Sequence, residues 1–156
     1  MELGRFLIGP SGVFVTSVKY LKESKGRTFA ICDGGGNYHA AAIGFGSLLP
    51  KNFPISKLSS KSEAPTQSIG TYNITGPLCT PTDKIGDSVN IKNLHQNDLI
   101  GIFHSGAYGL TASPVNFLSF GGIYEVFVEN HNISIIRNKE NIDSILFLQN
   151  KTSLKI

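Results

Sequence analysis

Cys79 stands in Gly76-Pro77-Leu78-Cys79-Thr80-Pro81-Thr82-Asp83 and Tyr108 in Gly106-Ala107-Tyr108-Gly109, so a thiol and a phenol each occupy a glycine-flanked turn. Glycine at such positions lets backbone and ligand approach closely. A thiol acts as nucleophile or proton donor where a base or a lowered pKa activates it; without either it is a small buried hydrophobe. Near the N-terminus, Glu2-Leu3-Gly4-Arg5 sets one carboxylate and one guanidinium close together. The planar fork of arginine suits a phosphate, the alternative being a solvated pair at a chain end. Asp33-Gly34-Gly35-Gly36-Asn37 either presents backbone N–H groups to an anion or makes a turn, and it matches neither GxGxxG nor a Walker loop.

A Cys–His hydrolase pairing Cys79 with His104 is one way to use the thiol. His104 follows the apolar run Ile100-Gly101-Ile102-Phe103, where a packed histidine is the competing reading. His39, His95, His104 and His131 show no HxH or HxxxH spacing, so no metal site is expected.

The segments that must carry these residues are mostly strands. Val13 to Leu21 and Arg27 to Cys32 are rich in β-branched and aromatic residues and flank the turn signal Ser24-Lys25-Gly26, which predicts a hairpin. Further strands are expected at 72–75, 88–91, 98–103, 124–128 and 134–137, a spacing that suits an all-β barrel or sandwich. One short helix is expected from Glu140 to Leu148, started by Asn138 or Asn141. The polar stretch 56–70 reads as a long exposed loop.

At 156 residues the chain fits a single domain, 1–156, with enough length to fold without staples. Its 14 basic and 11 acidic residues give a formal charge of +3, spread too evenly for a nucleic-acid footprint. No apolar run approaches the roughly 20 residues of a membrane span. Cys32 and Cys79 form no CxxC pair and follow no signal-peptide pattern, so a cytoplasmic protein with reduced thiols is expected, and the three Asn-x-Ser/Thr sequons carry no meaning there.

Taken in order, Glu2 to Gly9, Asp33 to His39, Gly76 to Asp83 and Ser105 to Pro114 resemble motifs in the C-terminal half of the pyridoxal-phosphate-dependent decarboxylases that include ornithine and diaminopimelate decarboxylase. The resemblance spans roughly residues 2 to 148, and the Gly-Pro-Leu-Cys-Thr-Pro wording is most similar to the branch acting on amino acids or carrier-bound acyl groups. It implies a mainly β domain, an alanine racemase C-terminal-like β-barrel with one or two short helices. The lysine that forms the Schiff base with pyridoxal 5'-phosphate would lie in an N-terminal (β/α)8 barrel absent from this chain. By the same resemblance Glu2 faces the pyridine nitrogen, Gly4, Arg5 and Tyr108 lie at the cofactor phosphate, and Cys79 is the catalytic thiol lent across a dimer interface. A homodimer, or association with a barrel half, follows, with inactivity when alone. The alternative is a non-catalytic binding or regulatory domain that docks on a full-length decarboxylase.

Two positions depart from the family pattern. Leu3 replaces the proline of Glu-Pro-Gly-Arg, removing a fixed φ angle before the cofactor contacts. Thr80 stands where ornithine decarboxylase has the aspartate that receives the substrate's distal ammonium. A basic diamino acid is therefore disfavoured, and Asp33 and Asp83 are the remaining carboxylates at the expected substrate side.

Overall fold

The computed structural model describes residues 3–48, 51–58 and 68–150, which divide into two compact units, Met1–Pro114 and Val115–Ile156. In the first, α1 (Gly4–Ile8) leads into β1 (Val13–Ser24), β2 (Arg27–Cys32), β3 (Ile55–Lys57), β4 (Ile69–Thr75), β5 (Lys84–Lys92) and β6 (Leu99–Phe103). The strands form one six-stranded sheet in the order β3-β6-β1-β2-β4-β5. All pairs are antiparallel except β2–β4, where Thr28 faces Tyr72 and Ile31 faces Thr75 in parallel register. The expected hairpin is present: Ser24 pairs with Arg27 across Lys25 and Gly26, both at positive φ, the conformation whose twist suits a two-residue hairpin loop.

Alternation along β1 puts Phe14, Thr16 and Val18 inward while Val13 and Val15 are exposed, the pattern of a sheet wet on one side. Val18, Ala30, Ile74, Ile85, Ile100 and Ile102 form the centre of the core, each at most 1% exposed. The sheet is nearly closed. Asn52 spans the gap by donating from Nδ2 to the Asp87 carbonyl (2.7 Å) and accepting from the Asp87 N–H at Oδ1 (2.9 Å). Lys57 adds an ion pair to Asp98 at 2.8 Å and a bond to the Asn93 carbonyl at 2.7 Å. Such pairing covers edge groups that would otherwise be free to recruit another strand.

The second unit holds the hairpin β7 (Glu125–Glu129) and β8 (Asn132–Arg137), then α2 (Ile142–Leu146). Asn141 caps α2, its Oδ1 accepting from the Ser144 N–H at 2.8 Å. No residue of β7, β8 or α2 is buried; Val126, Val128, Ile133 and Ile135 are more than half exposed.

The mainly β barrel-like architecture agrees with the sequence expectation. The loop read at 56–70 is corrected at both ends: Ser56 and Lys57 belong to β3, which pairs with β6, and Ile69 and Gly70 begin β4. Ile55-Ser56-Lys57 is too short to show a period of its own and is recruited by the unpaired edge of β6.

Candidate functional site

Strand direction collects the motifs. β1 begins after Gly12, β2 ends before Asp33, β4 ends before Gly76, β5 begins after Asp83 and β6 ends before His104. Because β1 runs antiparallel to β2 and β6, while β4 runs parallel to β2 and antiparallel to β5, all five of these strand ends lie at the same end of the barrel.

The loops at that end are bonded to one another. Gly106 donates to the Gly9 carbonyl at 3.0 Å and Ser105 to the Gly12 carbonyl at 2.9 Å. Gly12 and Gly106 touch backbone to backbone, since a Cβ on Gly12 would lie 2.5 Å from both Cα and N of Gly106. Gly12→Ala is therefore expected to force these segments apart and to cost about 3 kcal/mol, read as a lower urea midpoint with an unchanged m-value. On the other side, the Asp83 carboxylate, 3% exposed, accepts from the Gly36 N–H at 2.7 Å and from the Leu78 N–H at 2.8 Å, tying the glycine run to the Cys79 turn. Ser113 joins the third pair: its hydroxyl donates to the Gly109 carbonyl at 2.7 Å and accepts from the Ala40 N–H at 2.8 Å. The loop 33–44 is thus bonded to both the Cys79 loop and the Tyr108 loop.

Arg5, Gly4 and Tyr108 come together. The Arg5 guanidinium carbon lies 5.4 Å from the Tyr108 ring centroid and 5.2 Å from that of Phe53. A Cβ on Gly4 would meet the Tyr108 hydroxyl at 3.4 Å, so this phenol lies along the bare backbone of α1. Tyr108 is half exposed and holds φ at +56°, a sparsely populated conformation that residues at binding sites often adopt. Leu3 has φ of −99°, outside the range proline imposes, so the substitution there matches the backbone it serves. Glu2 lies outside the described residues.

Cys79 is exposed and free, Thr80 half-buried beside it. Cys32 is the opposite case: burial, followed by the Asp33 charge, pushes its thiol up to about 12, which leaves it inert. Asp33 is exposed but has partners on both carboxylate oxygens. Its carboxylate accepts from Thr16 Oγ1 and the Ser17 N–H, both at 2.9 Å, and pairs with Lys19 at 3.2 Å. Burial raises its pKa, yet these partners together outweigh burial and hold it below the usual range. Neither Asp33 nor Asp83 carries a carboxylate free of partners in this chain. His104 is exposed at φ +61° on the Tyr108 loop, not the Cys79 loop.

Sequence reasoning missed Phe53, Ser113 and the setting of His39. His39 is fully buried, its ring 5.2 Å from Phe53 and 5.9 Å from Phe14, both edge-on, and neither ring nitrogen has a partner among the described residues. Only the Asp-Gly-Gly-Gly-Asn-Tyr-His run hinted at it.

The nearly closed β-barrel carries a cation on α1 and a phenol and a thiol on loops at one end. Residues 6–106 match the family model for the pyridoxal-dependent decarboxylase C-terminal sheet domain, and the chain belongs to that family. It is 38% identical over 152 residues to an L-glutamyl-[BtrI acyl-carrier protein] decarboxylase of Niallia circulans, covering 97% of this chain and 36% of that protein. Against a diaminopimelate decarboxylase of Vibrio cholerae the identity is 29%, over 95% of this chain and 33% of the other. A crystal structure of an Aquifex aeolicus protein superposes with a TM-score of 0.80 at 25% identity, over 92% of this chain and 33% of that one. The M. jannaschi diaminopimelate decarboxylase structure, at 21% identity and TM-score 0.81 over 95% of this chain and 32% of that one, shares the fold. The chain spans about a third of the length of the curated relatives it matches.

Proposed function

We propose that this chain supplies the rim residues of a pyridoxal 5'-phosphate-dependent decarboxylase acting on an amino acid or a carrier-bound aminoacyl group, and that it turns over substrate only with a cofactor-bearing barrel. The observation that carries this reading is the convergence of four motif loops at one end of the sheet. The residues there fit a phosphate monoester: the half-buried Arg5 offers charge and paired N–H donors, and the adjacent Tyr108 a hydroxyl, with Gly4 leaving the backbone bare. When bound, the cofactor's pyridine ring would be the electron sink for the pair left on the carbon that loses CO2. Glu2 would hold the pyridine nitrogen protonated. The Cys79 thiol would give its proton to the carbon that lost CO2, becoming a thiolate, and in a homodimer it would do so in the partner's site.

Asp33 and Asp83 shape the loops in this reading. Their engaged carboxylates, with Thr80 beside Cys79, favour a substrate whose distal end bears no free ammonium, as in the carrier-bound glutamyl group that the N. circulans relative's name specifies. The exposed apolar side chains of β7 and β8 suit association with the rest of the enzyme, since a lone two-stranded hairpin is marginal in water. No helix among the described residues is long and apolar enough to cross a membrane, and a cytoplasmic location completes the reading.

Mixing the chain with a separately produced cofactor-bearing barrel tests the proposal through CO2 release. Activity is expected from the mixture and from neither part alone. Cys79→Ala is expected to lower turnover by about 10²-fold or more, the scale of a lost general acid. Binding of an intact decarboxylase without added turnover would instead support a regulatory domain, and an unchanged rate in Cys79→Ala would remove the thiol from the mechanism.

A further inference from the structure

We propose that Phe53 is a positioning residue that presents the Arg5 guanidinium to its anionic ligand, with the His39 ring as the spacer that holds Phe53 in place. The inference rests on Arg5 being the phosphate contact proposed above. Arg5 lies over two rings, those of Tyr108 and Phe53, 5.4 and 5.2 Å from its guanidinium carbon. No ion pair involving Arg5 is seen among the described residues, so these aromatic faces set its orientation and leave its N–H donors available.

Behind Phe53 the rings continue: His39 at 5.2 Å and 71°, then Phe14 at 5.9 Å and 86°, then Tyr38 at 6.5 Å and 62°. Phe14 stands on β1, so the series anchors a half-buried cation to the barrel core. His39 has no hydrogen bond at either nitrogen among the described residues, and its burial, then the Arg5 charge beside it, opposes its protonation. Its ring therefore acts through shape and packing rather than by proton transfer.

The test uses the 156-residue chain without cofactor, so its outcome is separate from that of the reconstitution experiment. Side-chain ¹⁵N NMR of the Arg5 Nε–H should show a ring-current shift and an order parameter near the rigid range of about 0.85, with Arg27 on the β1–β2 hairpin as internal reference. In Phe53→Leu the shift should fall by the Phe53 share, leaving at most what the Tyr108 ring gives, and the order parameter should drop below about 0.6; Phe53→Tyr and His39→Phe should keep both, and His39→Ala should reduce them likewise. In the reconstituted enzyme, Phe53→Leu should weaken pyridoxal 5'-phosphate about tenfold while leaving pyridoxal, which lacks the phosphate, unchanged. A flexible, unshifted Arg5 in the unsubstituted chain would overturn the proposal even if no variant folds. So would an Arg5 indifferent to Phe53→Leu, or loss of Arg5 order in His39→Phe.

Discussion

Asp83→Ala lowers the unfolding free energy of the barrel by about 3–5 kcal/mol, because two hydrogen bonds to a buried carboxylate vanish together and each such bond contributes about 1.5–3 kcal/mol. The Gly36 and Leu78 N–H groups both lose their acceptor, and domains of this size have only about 5–15 kcal/mol in total. Asp83→Asn recovers little of the loss, since one oxygen can take one N–H while the amide nitrogen confronts the other donor. Urea unfolding monitored by circular dichroism measures both. A loss below about 1 kcal/mol in Asp83→Ala would mean that the Cys79 turn and the glycine run hold their places without it. Since Cys79 follows Leu78 directly, either variant also displaces the thiol.

Stability should fall steeply in mild acid because of His39. Burial, then the neighbouring Arg5 charge, lowers its pKa from 6.5 to about 4 in the folded chain. Between those values the unfolded chain binds the extra proton and the folded chain does not. The contribution is therefore complete above about pH 6.5 and is lost as pH falls toward 4, with a total on the order of 3 kcal/mol. His39→Phe keeps the ring and removes the titration, so its stability should stay level across this window, where the unsubstituted chain's declines. At neutral pH it should be at least as stable, because two buried nitrogens lacking partners among the described residues are replaced by carbon. Urea midpoints at pH 7, 6, 5 and 4.5 for both chains provide the comparison; parallel curves would show that the imidazole reaches solvent or a partner on protonation.

The strands were readable where side-chain type and alternation agreed, as at Val13 to Leu21 and Arg27 to Cys32. The four motifs were readable too, because their glycines mark places where backbone meets backbone, and Gly12 against Gly106 and Gly35 against Gly76 are such contacts. What no local pattern contains is the parallel register of β2 with β4, and that pairing puts the Cys79 turn at the same end as the other loops. Phe53 carried no signal because a lone aromatic in Lys51-Asn52-Phe53-Pro54 is defined only by what it packs against. For Asp83 the sequence reveals the charge but not the two backbone N–H groups that its carboxylate accepts from, because they come from separate segments.

The central strand of the sheet joins distant parts of the chain: Val13 faces Phe103 and Ser17 faces Leu99. Closing so long a span must precede the contacts that reward it, which places this barrel among slow-folding, high-contact-order topologies. On the ribosome, Arg5 and the glycine run would emerge well before β6 and would have no fixed geometry until it followed. The rim can take shape only as a last, collective step of synthesis, so the segments proposed above to meet a cofactor would gain their geometry all at once.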